Sequence, residues 1–174
     1  MARNGILALL QGGDRRSIGR ADRAAAMVRG NRRLFRQLVC GLWSEDAMVR
    51  MRAADAAEKV TRENPRWLAP YRKELLGLLA GSEQPELRWH LAVMVPRLAL
   101  RAKERQAAIA ALHRYLEDRS SIVKAFALQG LAELAGTDPT MRAGVIETLR
   151  EATRNGTPAM RARGRRLLGR LEAG

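Results

Sequence analysis

The sequence predicts an all-α fold of stacked helical hairpins, and three observations carry that expectation. A short segment recurs four times, as Asp46-Ala47-Met48-Val49-Arg50, Pro85-Glu86-Leu87-Arg88, Ser121-Ile122-Val123-Lys124 and Pro158-Ala159-Met160-Arg161. Its anchors Val49, Leu87, Val123 and Met160 stand 38, 36 and 37 residues apart, a period that marks stacked helix pairs. Apolar residues follow each anchor at helical spacing. With only 3 Trp, 2 Tyr and 2 Phe in 174 residues, the core must come from Ala, Leu, Val and Met, which suits packed helices better than sheets.

In chain order, helices are expected near 3–11, 15–29, 31–43, 46–63, 66–80, 85–100, 104–117, 120–135, 139–154 and 157–172, pairing into about five antiparallel hairpins. The run Ile6 to Leu10 opens the first, and Gly12-Gly13 makes the turn after it; lacking a following Lys-Ser/Thr, that pair is no phosphate loop. Asn31 caps the run through Leu34, Leu38 and Leu42. Asn64-Pro65 and Asp138-Pro139 place a capping side chain before a proline at the first helical position, where its missing N–H costs nothing. Ala80-Gly81-Ser82-Glu83, Glu117-Asp118-Arg119 and Arg154-Asn155-Gly156 read as short polar connections. Pro96 should kink its helix or end it early. The first hairpin fits the repeat poorly, with Gly19 where later copies carry a base. Residues 1–45 therefore read as degenerate cap hairpins and 46–172 as regular repeats of one domain spanning 1–174.

Asp46 with Val49-Arg50-Met51-Arg52-Ala53-Ala54, together with Leu87-Arg88, Val123-Lys124 and Met160-Arg161, resembles the HEAT family, in particular its short repeats built on an acidic turn, Val-Arg and an Ala-rich helix. The resemblance covers about 46–172 and implies a right-handed α-solenoid with the anchored helices lining its concave side. It implies no particular activity, since such repeats serve scaffolds, transport factors, regulatory subunits and a few enzymes.

On a helical wheel the anchor and the residues 4, 8 and 11 later share one sector, giving core stripes Leu87, Leu91, Val95, Leu98 and Val123, Ala127, Leu131, Leu134. The bases one residue after each anchor, Arg50, Arg88, Lys124 and Arg161, fall at the flank of the stripe. Their expected role is a structural ladder between repeats, paired with turn acids such as Asp46, Glu83, Glu86 or Asp118. Residues two and six after the anchor point away from the core: Met51 and Asp55, Trp89 and Val93, Ala125 and Gln129, Ala162 and Arg166. They form a groove floor with an apolar centre, the expected contact surface for a protein segment.

The formal charge is +14, unevenly spread: +7 over residues 1–40, +1 over 41–100, +2 over 101–150 and +4 over 151–174. Arg outnumbers Lys 28 to 4, a bias that genome composition alone produces. Arg15, Arg16, Arg20, Arg23, Arg29, Arg32, Arg33 and Arg36 supply one basic end, and Arg161, Arg163, Arg165, Arg166 and Arg170 the other, either as solubilising cap faces or as polyanion contacts.

Chemistry is sparsely encoded. His90 and His113 stand apart without ligand-spaced partners, so no metal or other cofactor is expected. Cys40, the one cysteine, reads as a buried filler in Leu38-Val39-Cys40 and implies a reducing compartment. Ser17, Ser44, Ser82, Ser120 and Ser121 sit at helix starts, where capping accounts for them. The run Ile6 to Leu10 is too short for a signal-peptide core or a membrane span, giving a soluble, cytoplasmic expectation. The expected function is a non-catalytic adaptor that binds a protein segment on its concave face. The alternative is nucleic-acid binding without sequence preference through the basic ends. A distant third is similarity to the DNA alkylation repeat glycosylases, whose groove pairs tryptophan with aspartate; Trp43, Trp67 and Trp89 here precede Ala47, Tyr71 and Val93 by four residues, leaving Asp55 as the candidate carboxylate.

Overall fold

A computed structural model of the chain describes residues 5–14 and 17–173, which places Arg15 and Arg16 of the basic N-terminal end outside the described residues. Ten α-helices and no strand occur among the described residues: α1 (Gly5–Ala8), α2 (Ala21–Val28), α3 (Arg32–Cys40), α4 (Ala47–Glu63), α5 (Arg72–Gly81), α6 (Pro85–Met94), α7 (Ala102–Leu116), α8 (Ser121–Thr137), α9 (Arg142–Asn155) and α10 (Pro158–Glu172). None is long and apolar enough to cross a membrane. The chain divides into two compact units, residues 1–70 and 71–174.

In the first unit, α4 packs on α2 and α3. Asn31 and Asp46 cap α3 and α4, accepting from the amides of Leu34 at 3.1 Å and Met48 at 2.8 Å. Phe35 meets Trp67 edge to face at 5.2 Å between ring centroids. Arg52 is 1% exposed, although sequence reading gave it no role. Its guanidinium reaches back along the chain and donates to the carbonyls of Leu10 at 2.8 Å, Gly12 at 2.6 Å, Asp14 at 2.9 Å and Ser17 at 3.2 Å. Burying an arginine is tolerable when its fork of N–H groups is satisfied this fully. Gly19 shows what the arrangement demands of the loop. Its φ is +55°, and a Cβ there would lie 2.8 Å from Arg52 Cζ, so the side chain that a repeat copy carries would collide with the clamp.

Within the second unit, helices two apart in sequence lie side by side. Arg72 at the start of α5 is 3.1 Å from Glu104 at the start of α7, and the Tyr115 hydroxyl near the end of α7 donates to Leu79 O near the end of α5 at 2.7 Å, so the two helices run the same way. The α6, α8 and α10 helices contact one another in series. Gly130 lets α8 approach α6: a Cβ at this position would sit 2.3 Å from Ala92 O.

Several boundaries differ from expectation. Asn64-Pro65 opens a 3-10 stretch, Pro65–Tyr71, and α5 begins only at Arg72, because Pro70 has no N–H to continue an α-helical ladder. Asp138 accepts from Thr140 N at 3.1 Å and likewise starts a 3-10 turn, Pro139–Met141, ahead of α9. As expected of Pro96, the helix ends early: α6 stops at Met94, short of residue 100, and Pro96 sits in the 3-10 turn Val95–Arg97. Cys40, expected as a buried filler, is exposed, because Phe35, Leu38 and Val39 occupy the buried face of α3.

Candidate partner-binding groove

The wheel assigned one apolar stripe to each anchored helix, yet α4 and α6 are covered around most of their circumference. Residues 52–58 and 91–96 are buried without interruption. Two of the expected groove residues are thereby corrected. Val93 is 4% exposed and belongs to the core. Asp55 is 8% exposed and held by Lys59 Nζ at 2.7 Å, which also takes Asp22 at 2.5 Å, so it is not a carboxylate presented on a groove floor. The cause is common to both: a helix flanked on two sides has far less free circumference than a wheel with a single packed face allows. Met51 is half-buried on α4. Trp89 is half-buried on α6, its ring 5.7 Å from that of His90 at an angle of 57°.

On α8 and α10 the expected positions converge. A cavity of about 340 Å³ is lined by Ile122, Ala125 and Phe126 of α8 and by Ala159, Ala162, Arg163 and Arg166 of α10. Ala125 itself is 3% exposed, so it forms the floor while Ile122, 44% exposed, stands at the edge. The capping hydroxyls of Ser120 and Thr157 start the two helices, accepting from Val123 N at 3.4 Å and Met160 N at 3.3 Å. The Arg163 guanidinium lies 3.9 Å from the centre of the Phe126 ring. Gln129 accepts from Arg163 at 3.0 Å and Arg166 at 3.3 Å and donates to Glu133 at 2.8 Å. Burial, with the Arg166 charge adding to it, pushes the Arg163 guanidinium below its ordinary pKa. The wall is thus apolar at its base and cationic along one rim.

Sequence reasoning placed Ala125, Gln129, Ala162 and Arg166 in a groove and Arg163 with Arg166 in a polyanion site; in the structure Ala125, Ala162, Arg163 and Arg166 line one cavity, and Gln129 is bonded to both arginines. It missed Ile122 and Phe126, which sit one residue before the anchor and three after it. Their matching positions in α10 are Ala159 and Arg163, so the only available signal was an apolar residue where the next repeat has a methyl group or a charge.

The bases after the anchors share a local habit. Arg50 donates to Ser44 O at 2.7 Å and Glu45 O at 3.0 Å, Arg88 to Ser82 O at 2.6 Å, and Arg161 to Gly156 O at 3.1 Å, each tying down the turn before its own helix. Arg88 also reaches Asp118 at 2.5 Å, a rung of the expected ladder. Lys124 and Arg161 make no ion pair among the described residues, which corrects their assignment as rungs. The exposed surface of α10 carries Arg161, Arg165, Arg166 and Arg170, and that of α3 carries Arg32, Arg33 and Arg36. Among the described residues, no group of His, Cys, Asp and Glu side chains could hold a metal ion.

No family model matches this chain, and no curated protein matches it in sequence.

Proposed function

We propose that the chain is a HEAT-like helical-repeat adaptor without catalytic activity, which holds an acidic protein segment in the groove between α8 and α10. The repeat reading rests on the residue offset between adjacent helices of the second unit: Leu79 meets Tyr115, and Ala125 lines the same cavity as Ala162. A right-handed solenoid of about five hairpins is the architecture this register fits. The groove carries the functional reading because it joins an apolar floor to the Arg163 and Arg166 rim. Such a surface takes a bulky apolar side chain flanked by Asp or Glu.

Fluorescence anisotropy with peptides that place one Leu or Phe among Asp and Glu tests the reading. The wild-type chain binds them, and both Phe126→Ala and Arg166→Glu weaken binding by about tenfold or more. Equal binding by the variants, or no binding of any such peptide, rejects it. A second reading, contact with nucleic acid, draws on the exposed arginines of α10 and α3. It is favoured instead if oligonucleotides bind more tightly than the peptides, with affinity falling steeply as salt rises. A glycosylase reading would need Asp55, which is engaged by Lys59.

A further inference from the structure

Two successive repeats of the second unit correspond residue by residue, the buried series Ala108, Leu112, Tyr115 of α7 recurring as Val145, Leu149, Ala152 of α9. That register of 37 residues pairs Tyr115 with Ala152 and Asp118 with Asn155, while the anchors Leu87 and Val123, 36 residues apart, pair Arg88 with Lys124. In the earlier repeat the three groups form a filled cluster. The Tyr115 ring, 4% exposed, lies 5.3 Å from the Arg88 guanidinium, and Asp118 holds the same guanidinium at 2.5 Å. One repeat later all three have changed, the ring to a methyl group and the carboxylate to a carboxamide. A cavity of about 590 Å³ has Lys124, Ala152 and Asn155 on its wall.

The remainder of that wall defines what fits. Leu116, Leu128 and Met160 make an apolar side. Glu117, Glu147, Glu151 and Arg154 supply the other charges. Arg154 is occupied with Glu147 at 3.8 Å and Glu151 at 3.3 Å, and Arg150 lies 3.5 Å from Glu147. Lys124 and Glu117 make no ion pair among the described residues. A plain carboxylate would satisfy Lys124 but face three glutamates; a plain amine would suit the glutamates and leave Lys124 uncompensated. A ring carrying both charges answers the whole wall.

We infer that this cavity binds a free aromatic α-amino acid. The ring takes the place that Tyr115 fills one repeat earlier, against Leu116, Leu128 and Met160. The carboxylate meets Lys124 as Asp118 meets Arg88, and the ammonium meets Glu117, Glu151 being already bonded to Asn155 at 2.7 Å and Arg154 at 3.3 Å. The cavity lies on a different face of α8 from the groove with Phe126, and its volume is in the ordinary range for a small-molecule site. The inference stands independently of the adaptor reading.

The probe is L-phenylalanine, titrated into the full chain and followed by amide NMR shifts. Saturable shifts at Lys124, Ala152 and Asn155 are expected. Phenylalaninamide, without the carboxylate, and 3-phenylpropionate, without the ammonium, should each bind about tenfold more weakly. Lys124→Met should weaken L-phenylalanine and leave phenylalaninamide unchanged. Ala152→Tyr combined with Asn155→Asp rebuilds the earlier repeat's cluster, so it should abolish binding and raise the melting temperature. The inference is overturned if L-phenylalanine gives no saturable shifts, if both analogues bind as well as it does, or if the folded double variant binds like wild type.

Discussion

Arg52 donates to four main-chain carbonyls, and methionine in its place would strip donors from Leu10, Gly12, Asp14 and Ser17 together. An orphaned buried polar group costs about 1–3 kcal/mol, so Arg52→Met should destabilise the chain by at least about 3 kcal/mol in urea titration; a loss under about 1 kcal/mol would show that water replaces the guanidinium without penalty. Tyr115 gives a residue-scale pH dependence. Burial foremost, with Asp118 adding and Arg88 and Arg114 opposing, raises its phenol from 10.0 to about 12. The folded chain therefore keeps a proton that the unfolded chain releases. This stabilisation is fully present below pH 10 and is lost as pH rises toward about 12. With two pH units between the states, the contribution is on the order of 2–3 kcal/mol. Tyr115→Phe should flatten that part of the stability profile, and an unchanged alkaline slope would show that another group sets it.

Between elements, a close backbone approach rests on Gly130, where an added Cβ would meet Ala92 O at 2.3 Å. A main-chain oxygen in α6 cannot swing aside as a flexible side chain can. Gly130→Ala should therefore cost about 1–3 kcal/mol by thermal or chemical melting, despite alanine's better helix propensity. A more stable alanine variant would mean that α6 and α8 separate readily. At this scale the sequence was informative about helix existence and less so about helix ends. Asn31, Asp46, Ser120 and Thr157 announce their helices by capping. Asn64-Pro65 and Asp138-Pro139 announce 3-10 turns instead, because local signals fix where a chain turns and not how many residues pass before α-helical bonding takes over.

For the whole molecule, a net charge of +14 sets a background of self-repulsion that isolated surface ion pairs do not offset. The melting temperature should rise by a few degrees, about 3–6 °C, as sodium chloride goes from about 20 to about 200 mM, since screening relieves repulsion within that range. A fall would show that pairs such as Arg105–Asp138 and Arg88–Asp118 outweigh the surplus. The same surplus makes ionic strength a required variable in the binding tests.

The sequence by itself determined the helical class, most of the helices among the described residues and the period of 36 to 38 residues, because these depend on spacing and composition read along one chain. The tertiary structure decided what each face touches. Val93 and Asp55 went inside because helices on either side cover positions that a wheel leaves free. Arg52 became a buried clamp through carbonyls 35 to 42 residues away, which no local pattern encodes. Arg88 and Lys124 are equivalent along the repeat, yet one meets Asp118 and the other a cavity beside Asn155. Periodicity places a side chain on a helix, and only the neighbouring helix supplies its partner.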